Sequence, residues 1–344
     1  MKNFRLRAAA CVLAAATAIS MPASPSLADT AASSADEDSG SVTITIEQGD
    51  GTIAVAEKLK DAGVISSTTL FRLRAKISGA DDEWKPGEFT VGKDAGSSVI
   101  DDLTEDHAGE IRVTIPEGKQ AKQTAQILED AGVCGADEFT DACQNHTFDY
   151  EFLDGIDTSS RISGLEGYLY PDTYYFEPDS DPDTVIEKML DRFEEKVYTD
   201  EIRQEATDMN FSIDDLVKLA SMVESEATTE SDRKLVAGVF LNRLNDGWKL
   251  QSCVTVEYAK GIKKAIISYE DTQYDSPYNT YLYSGLPYGP ICCPGQESIE
   301  AVPNSTPSNY YYFQSDSSGN LHFAETFAEH AAIQEDVQSN WDTN

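Results

Sequence analysis

Two glutamates one residue apart, Glu224 and Glu226, stand in the stretch Leu219-Ala-Ser-Met-Val-Glu-Ser-Glu-Ala227. Leu216, Leu219, Ala220 and Val223 recur at helical spacing, and Ser212-x-x-Asp215 ahead of them approximates a capping box, so the pattern predicts a helix. On that helix Glu226 stacks after Val223 and Met222, whereas Glu224 follows Ser221 and Ala220. Apolar neighbours disfavour the charged form of a carboxyl, so such a group holds its proton above the unperturbed value of ~4.3 and can donate it near neutral pH. Glu226 is therefore the candidate acid and base. Taken alone, a helical glutamate is most often a solvated surface group, and the residues supply only this asymmetry between the two.

Other chemistries find little support. There is no His-Glu-x-x-His, Cys-x-x-Cys, Gly-x-Ser-x-Gly or phosphate-binding loop, and the four histidines are scattered. Asp179-Ser-Asp-Pro-Asp183 hints at calcium but lacks the glycine and glutamate of an EF-hand loop. No metal and no cofactor are expected. A net charge of −35, more negative still once a basic export signal is removed, argues against nucleic acid or anionic lipid as a partner.

The 344 residues, 40% of them hydrophobic, suffice for two domains with a core in each. Lys2, Arg5 and Arg7 precede an Ala-rich apolar run, and Ser26-Leu-Ala28 offers small residues for a signal peptidase. Residues 1–28 are thus expected to be an export signal cut after Ala28. The run from Ala8 is roughly 14 residues, short of the ~20 of a spanning helix, which leaves a retained anchor as the alternative. Export implies an extracytoplasmic protein in an oxidising compartment. Of the five cysteines beyond the signal, Cys134 and Cys143 are close enough to staple one loop, leaving Cys253, Cys292 and Cys293 with one odd thiol. Residues 29–41, small, polar and acidic, are expected to be a disordered tether.

Beyond the tether the chain repeats itself. Thr45–Ile65 aligns without gaps to Thr114–Cys134 with 9 of 21 positions identical. Each copy has alternating apolar residues, a glycine turn, a helix-period stretch and a closing Ala-Gly, so each is expected to be a strand-turn-helix unit, serving as scaffold or binding glycan. The best domain boundary is the polar break at 101–109, giving a small module at 42–108 and a larger domain at 109–344. In the latter, 231–244 should form a second helix ending at Asp246-Gly247, and Tyr310–Phe313 with Leu321–Ala324 should form a hairpin. The fold class expected is α+β.

Several motifs occur in one order: Leu165-Glu-Gly-Tyr-Leu-Tyr-Pro-Asp-Thr-Tyr174, the Leu219–Ala227 stretch, Val239-Phe-Leu-Asn-Arg-Leu244, Leu250-Gln-Ser252, Ser276-Pro-Tyr-Asn-Thr-Tyr281 and Gly285-Leu-Pro-Tyr-Gly-Pro-Ile291. With Val113–Gly118, they resemble the endolytic murein transglycosylases of the MltG (YceG-like) family. The resemblance covers nearly everything after the tether, the 42–108 module being LysM-like.

It implies a peptidoglycan lytic transglycosylase that cleaves the bond between N-acetylmuramic acid and N-acetylglucosamine. Glu226, the second Glu of the family's Val-Glu-x-Glu segment, would be the single acid and base, and the products would carry 1,6-anhydro ends. Peptidoglycan strands are the implied partner, and cell-wall synthases are admitted as further ones. The amides and phenol of Asn242, Gln251, Tyr278 and Asn279 suit sugar hydroxyls and acetamido groups. Glu166, Tyr168, Asp172 and Tyr174 would wall the groove. For each of these, a structural loop contact is the competing reading. His322 and His330 match family positions without an assigned role.

Two departures stand out: Cys253-Val254 replaces the family's Asp-Pro, and Cys293-Pro294 its Asn-Pro. The paired change implies a Cys253–Cys293 disulfide beside the groove, with Cys134–Cys143 as the other bridge. The lost aspartate keeps open an alternative, a catalytically silent binding or scaffold protein of the same fold.

Overall fold

The computed structural model describes residues 41–81, 83–92, 99–104, 110–264, 267–316 and 318–341. The expected export signal (1–28), and the tether up to residue 40, lie outside the described residues. The chain divides into two compact units, Met1–Ala108 and Gly109–Asn344.

In the first unit, strand β1 (Ser41–Ile46) is followed by helices α1 (Thr52–Asp61) and α2 (Thr68–Ser78) and by strand β2 (Gly87–Gly92). A short helix α3 (Val99–Thr104) begins before the polar stretch expected to be a break, because Val99, Ile100 and Leu103 are buried. The strands are antiparallel, with Ile44 opposite Phe89 and Ile46 opposite Gly87. Their alternation puts Ile44 and Ile46 on the face that packs with Val55, Leu59, Phe71 and Trp84. Ser67 caps α2 by accepting from the Leu70 amide, and Gly79 closes the helix in the left-handed region at φ +79°.

The second unit opens with the repeat. Strand β3 (Ile111–Thr114), helices α4 (Ala121–Asp130) and α5 (Ala136–Asn145) and strand β4 (Thr173–Phe176) give the same β-α-α-β order, with β3 and β4 antiparallel and Ile111 opposite Phe176. The copies agree in detail. Gly63 and Gly132 both take positive φ after the first helix, and the amides of Val64 and Val133 return to the carbonyls of Leu59 and Leu128.

Helices α6 (Pro182–Lys196), α7 (Asp200–Asp208), α8 (Ile213–Glu226), α9 (Glu230–Asn245), α10 (Cys253–Lys260) and α11 (Gln296–Ala301) follow. Strands β5 (Tyr312–Ser315) and β6 (Leu321–Ala324) pair antiparallel ahead of α12 (Phe327–Trp341). The first hairpin strand thus begins two residues later than its sequence suggests. The architecture is α+β, and among the described residues no helix is long and apolar enough to cross a membrane.

Helix α8 is the centre of the second unit. Ser212 and Asp215 form the reciprocal capping box, with the Asp215 amide donating to Ser212 Oγ at 3.1 Å and the Ser212 amide to Asp215 Oδ2 at 3.2 Å. The run from Leu216 to Val223, apart from the half-buried Lys218, is buried on all sides. Such a helix is fixed by its surroundings, and its last turn, Glu224 to Glu226, emerges from the core.

Candidate active site

Glu226 is the last residue of α8. Its Oε1 accepts a hydrogen bond from Ser252 Oγ at 2.6 Å. Ser252 is the N-cap of α10, but its hydroxyl makes no capping bond to that helix. The job of fixing the residue falls to its neighbours. Thr280 Oγ1 accepts from the Ser252 amide at 3.1 Å, and Thr255 Oγ1 donates to the Ser252 carbonyl at 2.8 Å. One residue earlier, Gln251 adopts φ +49° with its amide bonded to the Thr280 carbonyl. A left-handed non-glycine residue costs about 1 kcal/mol, so the surrounding bonds hold this turn against a local preference.

Burial pushes the Glu226 carboxyl up to about 7; the Ser252 bond opposes the rise, the Glu257 charge adds to it, and Arg243 opposes it. Arg243 is itself fixed, donating from Nε to the Tyr311 carbonyl at 2.7 Å, from Nη1 to the Leu250 carbonyl, and lying over the Tyr312 ring. The arrangement is a carboxyl that keeps its proton near neutral pH, with Oε1 engaged and Oε2 bonded to nothing among the described residues.

Glu224, two residues earlier, is used up structurally. Its Oε2 accepts from Ser298 Oγ at 2.6 Å and from the Gly295 amide at 3.3 Å, and Oε1 lies 3.5 Å from Arg233 Nη2. It ties α8 to the start of α11 and to α9, in a cluster with Glu117 and Glu297. The two carboxylates have different partners, Ser252 for Glu226 and Ser298, Gly295 and Arg233 for Glu224.

Most of the residues expected to wall or line a groove are buried or engaged with partners in the protein itself. Tyr168 is fully buried and donates to Asp214 at 2.6 Å; Tyr174 is buried and donates to the Tyr170 carbonyl. Tyr278 is buried, its hydroxyl accepting from the Ile162 amide at 3.4 Å. Asn279, also buried, donates to the Thr272 and Tyr274 carbonyls at 3.0 and 2.7 Å. Asn242 bonds the Ser308 and Tyr310 carbonyls, both at 2.9 Å, and so secures the approach to β5. Asp172 pairs with Arg192 at 2.6 Å.

Glu166 is a buried clamp: it accepts from the Ala121 amide at the start of α4 at 2.9 Å and from the Tyr258 hydroxyl on α10 at 3.0 Å. Burial pushes it up to about 7, against those two bonds. Only Gln251 of the expected contacts is exposed, and it adjoins Ser252.

The expected disulfides are not formed, since all five cysteines of the described residues are thiols. Cys253 is exposed at the first turn of α10 with its sulfur 3.1 Å from the Tyr281 hydroxyl, whereas Cys293 is fully buried with its sulfur 3.8 Å from Glu166 Oε1. One side chain points out and the other in. Cys134 and Cys143 are likewise buried thiols, and burial pushes Cys134 up to about 11.

Residues that the sequence reading did not single out complete the site: Ser252, Arg243 and Glu257. The first two lie inside quoted motifs, Leu250-Gln-Ser252 and Val239–Leu244, so their signal was present without a role. Among the described residues no cluster of His, Cys, Asp and Glu is arranged to hold a metal. Glu226 lines neither of two cavities of about 730 and 590 Å³, the first within the N-terminal unit and the second lined by residues including Asp157, Arg161 and Tyr288.

The raised carboxyl of Glu226 is the candidate acid-base group of the second unit. The chain belongs to the YceG-like family, whose pattern matches residues 44–336. It is 33% identical over 306 residues to the endolytic murein transglycosylase of Bacillus subtilis (strain 168), covering 86% of this chain and 84% of that one. It is 30% identical over 319 residues to that of Streptococcus pneumoniae serotype 2 (strain D39), covering 84% of this chain and 57% of the relative. The crystal structure of a yceG-like protein from Listeria monocytogenes superposes with a TM-score of 0.59 at 29% identity, covering 86% of this chain and 99% of that chain.

Proposed function

We propose that this chain is an endolytic murein transglycosylase that cleaves peptidoglycan strands between N-acetylmuramic acid and N-acetylglucosamine, with Glu226 as the single acid and base. The observation that carries the reading is the Glu226 carboxyl, raised to about 7 by burial and held through Oε1 by Ser252.

The protonated carboxyl gives its proton from Oε2 to the bridging oxygen, and the bond from that oxygen to C1 of N-acetylmuramic acid breaks. The C6 hydroxyl of the same sugar then attacks C1 while Glu226, now a carboxylate stabilised by Ser252, takes the hydroxyl proton. A 1,6-anhydro end forms, the acid is regenerated, and no water is consumed. General acid-base assistance of this kind contributes roughly 10²–10⁴-fold.

A hydrolase of the ordinary type needs a second carboxylate on the opposite side of the sugar. Glu224 is occupied by Ser298, Gly295 and Arg233, which favours the one-carboxylate route. Mass spectrometry of purified peptidoglycan treated with the protein tests the reading. Anhydro ends are expected, and reducing ends alone would replace it with hydrolysis. The absence of any cleavage would favour the silent binding or scaffold alternative.

The proposal includes export beyond the cytoplasmic membrane, supported by the N-terminal sequence pattern, with glycan strands as the substrate and cell-wall synthases as candidate partners.

A further inference from the structure

Helix α2 has two apolar faces, and the fold uses one. Phe71 and Ala75 are buried in the core of the N-terminal unit. Leu70, Leu73 and Ile77, spaced three and four residues apart, form a stripe on the opposite side and are 47%, 55% and 77% exposed. Ile53 of α1, 56% exposed, borders the same cavity as Leu73. Helical geometry places Arg72 and Lys76 along one border of the stripe and Arg74 along the other. All three are exposed, and none makes an ion pair among the described residues. From Val64 to Ala80 there is no acidic residue, in a chain of net charge −35.

The internal repeat supplies a control. Helix α5 occupies the place of α2 in the second copy, with Phe139 and Cys143 buried where α2 has Phe71 and Ala75. Counting from those core residues, Leu70, Leu73 and Ile77 correspond to Glu138, Asp141 and Asn145, all exposed. The β-α-α-β fold therefore makes no demand for apolar residues on this face. A soluble unit of this size has no structural use for three outward branched aliphatics on one helix.

We propose that this face of α2 docks the N-terminal unit on a bilayer surface containing anionic phospholipid. The apolar stripe would enter the boundary between headgroups and acyl chains, while Arg72, Lys76 and Arg74 reach outward to phosphates on either side, the arrangement of an interfacial helix. Charge complementarity selects this occupant. The local charge, not the net charge of the chain, carries this choice: Arg72, Arg74 and Lys76 border the stripe in a segment without an acidic residue from Val64 to Ala80, with Glu57 and Asp81 lining the cavity beside Arg72 and Lys76. The helix does not span; it lies on the surface.

Vesicle flotation of the chain beginning at Asp29, which lacks the N-terminal apolar run and keeps both compact units, tests this. The protein should float with phosphatidylcholine vesicles containing phosphatidylglycerol, and not with phosphatidylcholine alone. Replacing the stripe by the residues of the second copy, L70E/L73D/I77N, should lower the bound fraction about tenfold with an unchanged melting temperature, and R72Q/R74Q/K76Q should do the same. Equal binding by the wild type and the stripe variant, or by neutral and anionic vesicles, would overturn the proposal. So would a dimer in sedimentation velocity that the stripe variant abolishes in the absence of any vesicle binding, since the face would then join two copies.

Discussion

Ser252 Oγ lies 2.6 Å from Glu226 Oε1, although Ser252 is the N-cap of α10 and a serine there ordinarily bonds its own helix. The hydroxyl has been diverted from capping α10 to binding the end of α8. That bond stabilises the carboxylate more than the acid, so in the proposed mechanism it would ease the first proton transfer from Glu226.

Ser252→Ala should therefore lower kcat about tenfold, the value of one charge-assisted hydrogen bond to the catalytic group. It should also move the alkaline limb of the kcat profile upward, because an interaction that lowers the Glu226 pKa is lost. Steady-state rates on soluble glycan strands across pH measure both effects. A rate loss without the shift would mean that Ser252 positions the substrate instead.

Glu257 raises Glu226 by its charge. Glu257→Gln removes that contribution, so the alkaline limb should move downward, with kcat at low pH changed less than about threefold. Loss of all activity in this variant would instead make Glu257 the second carboxylate of a hydrolase, and the products would then carry reducing ends.

The same carboxyl imposes a stability slope. With a folded pKa near 7 against about 4.3 unfolded, the native state binds the proton more tightly, so stability falls as pH rises from about 4.3 to 7 and the loss is complete above that. The size is on the order of 3–4 kcal/mol. Glu166 carries the same sign and window. Glu226→Gln should flatten part of the slope, and denaturant melts at pH 5 and 8, values bracketing most of the window, give the comparison. An unchanged slope would place Glu226 in solvent.

Glu224→Gln tests the structural role. A neutral amide keeps the volume but weakens the links to Ser298, Gly295 and Arg233, so the melting temperature should fall, by a free energy of about 1–3 kcal/mol, while kcat changes by less than about tenfold. Thermal melts and rates on the same preparation separate the two effects.

The helix bearing Glu226 and its capping box were legible in the sequence because spacing and cap chemistry are local. The two β-α-α-β copies were legible as a repeat for the same reason. The buried partners of Tyr168, Tyr278 and Asn279 were not. A phenol or amide has the same sequence signature whether it meets a sugar or a buried carbonyl, and only the packing of α8 with the loops at 161–168 and 272–281 decides it. Ser252 was read as part of a motif, but its hydroxyl acts across 26 residues of chain, a distance no local pattern encodes. The thiols show the reverse case: the two departures from the family pattern implied a Cys253–Cys293 pair, while the backbone aims one outward and the other at Glu166.

The most direct measurement is the mass of the chain ends released from purified peptidoglycan by the wild type, Glu226→Gln and Glu224→Gln, with folding of each checked by circular dichroism. The account predicts 1,6-anhydro-N-acetylmuramic acid ends from the wild type and from Glu224→Gln, and none above background from a folded Glu226→Gln. Anhydro ends from a folded Glu226→Gln at the wild-type rate would contradict it.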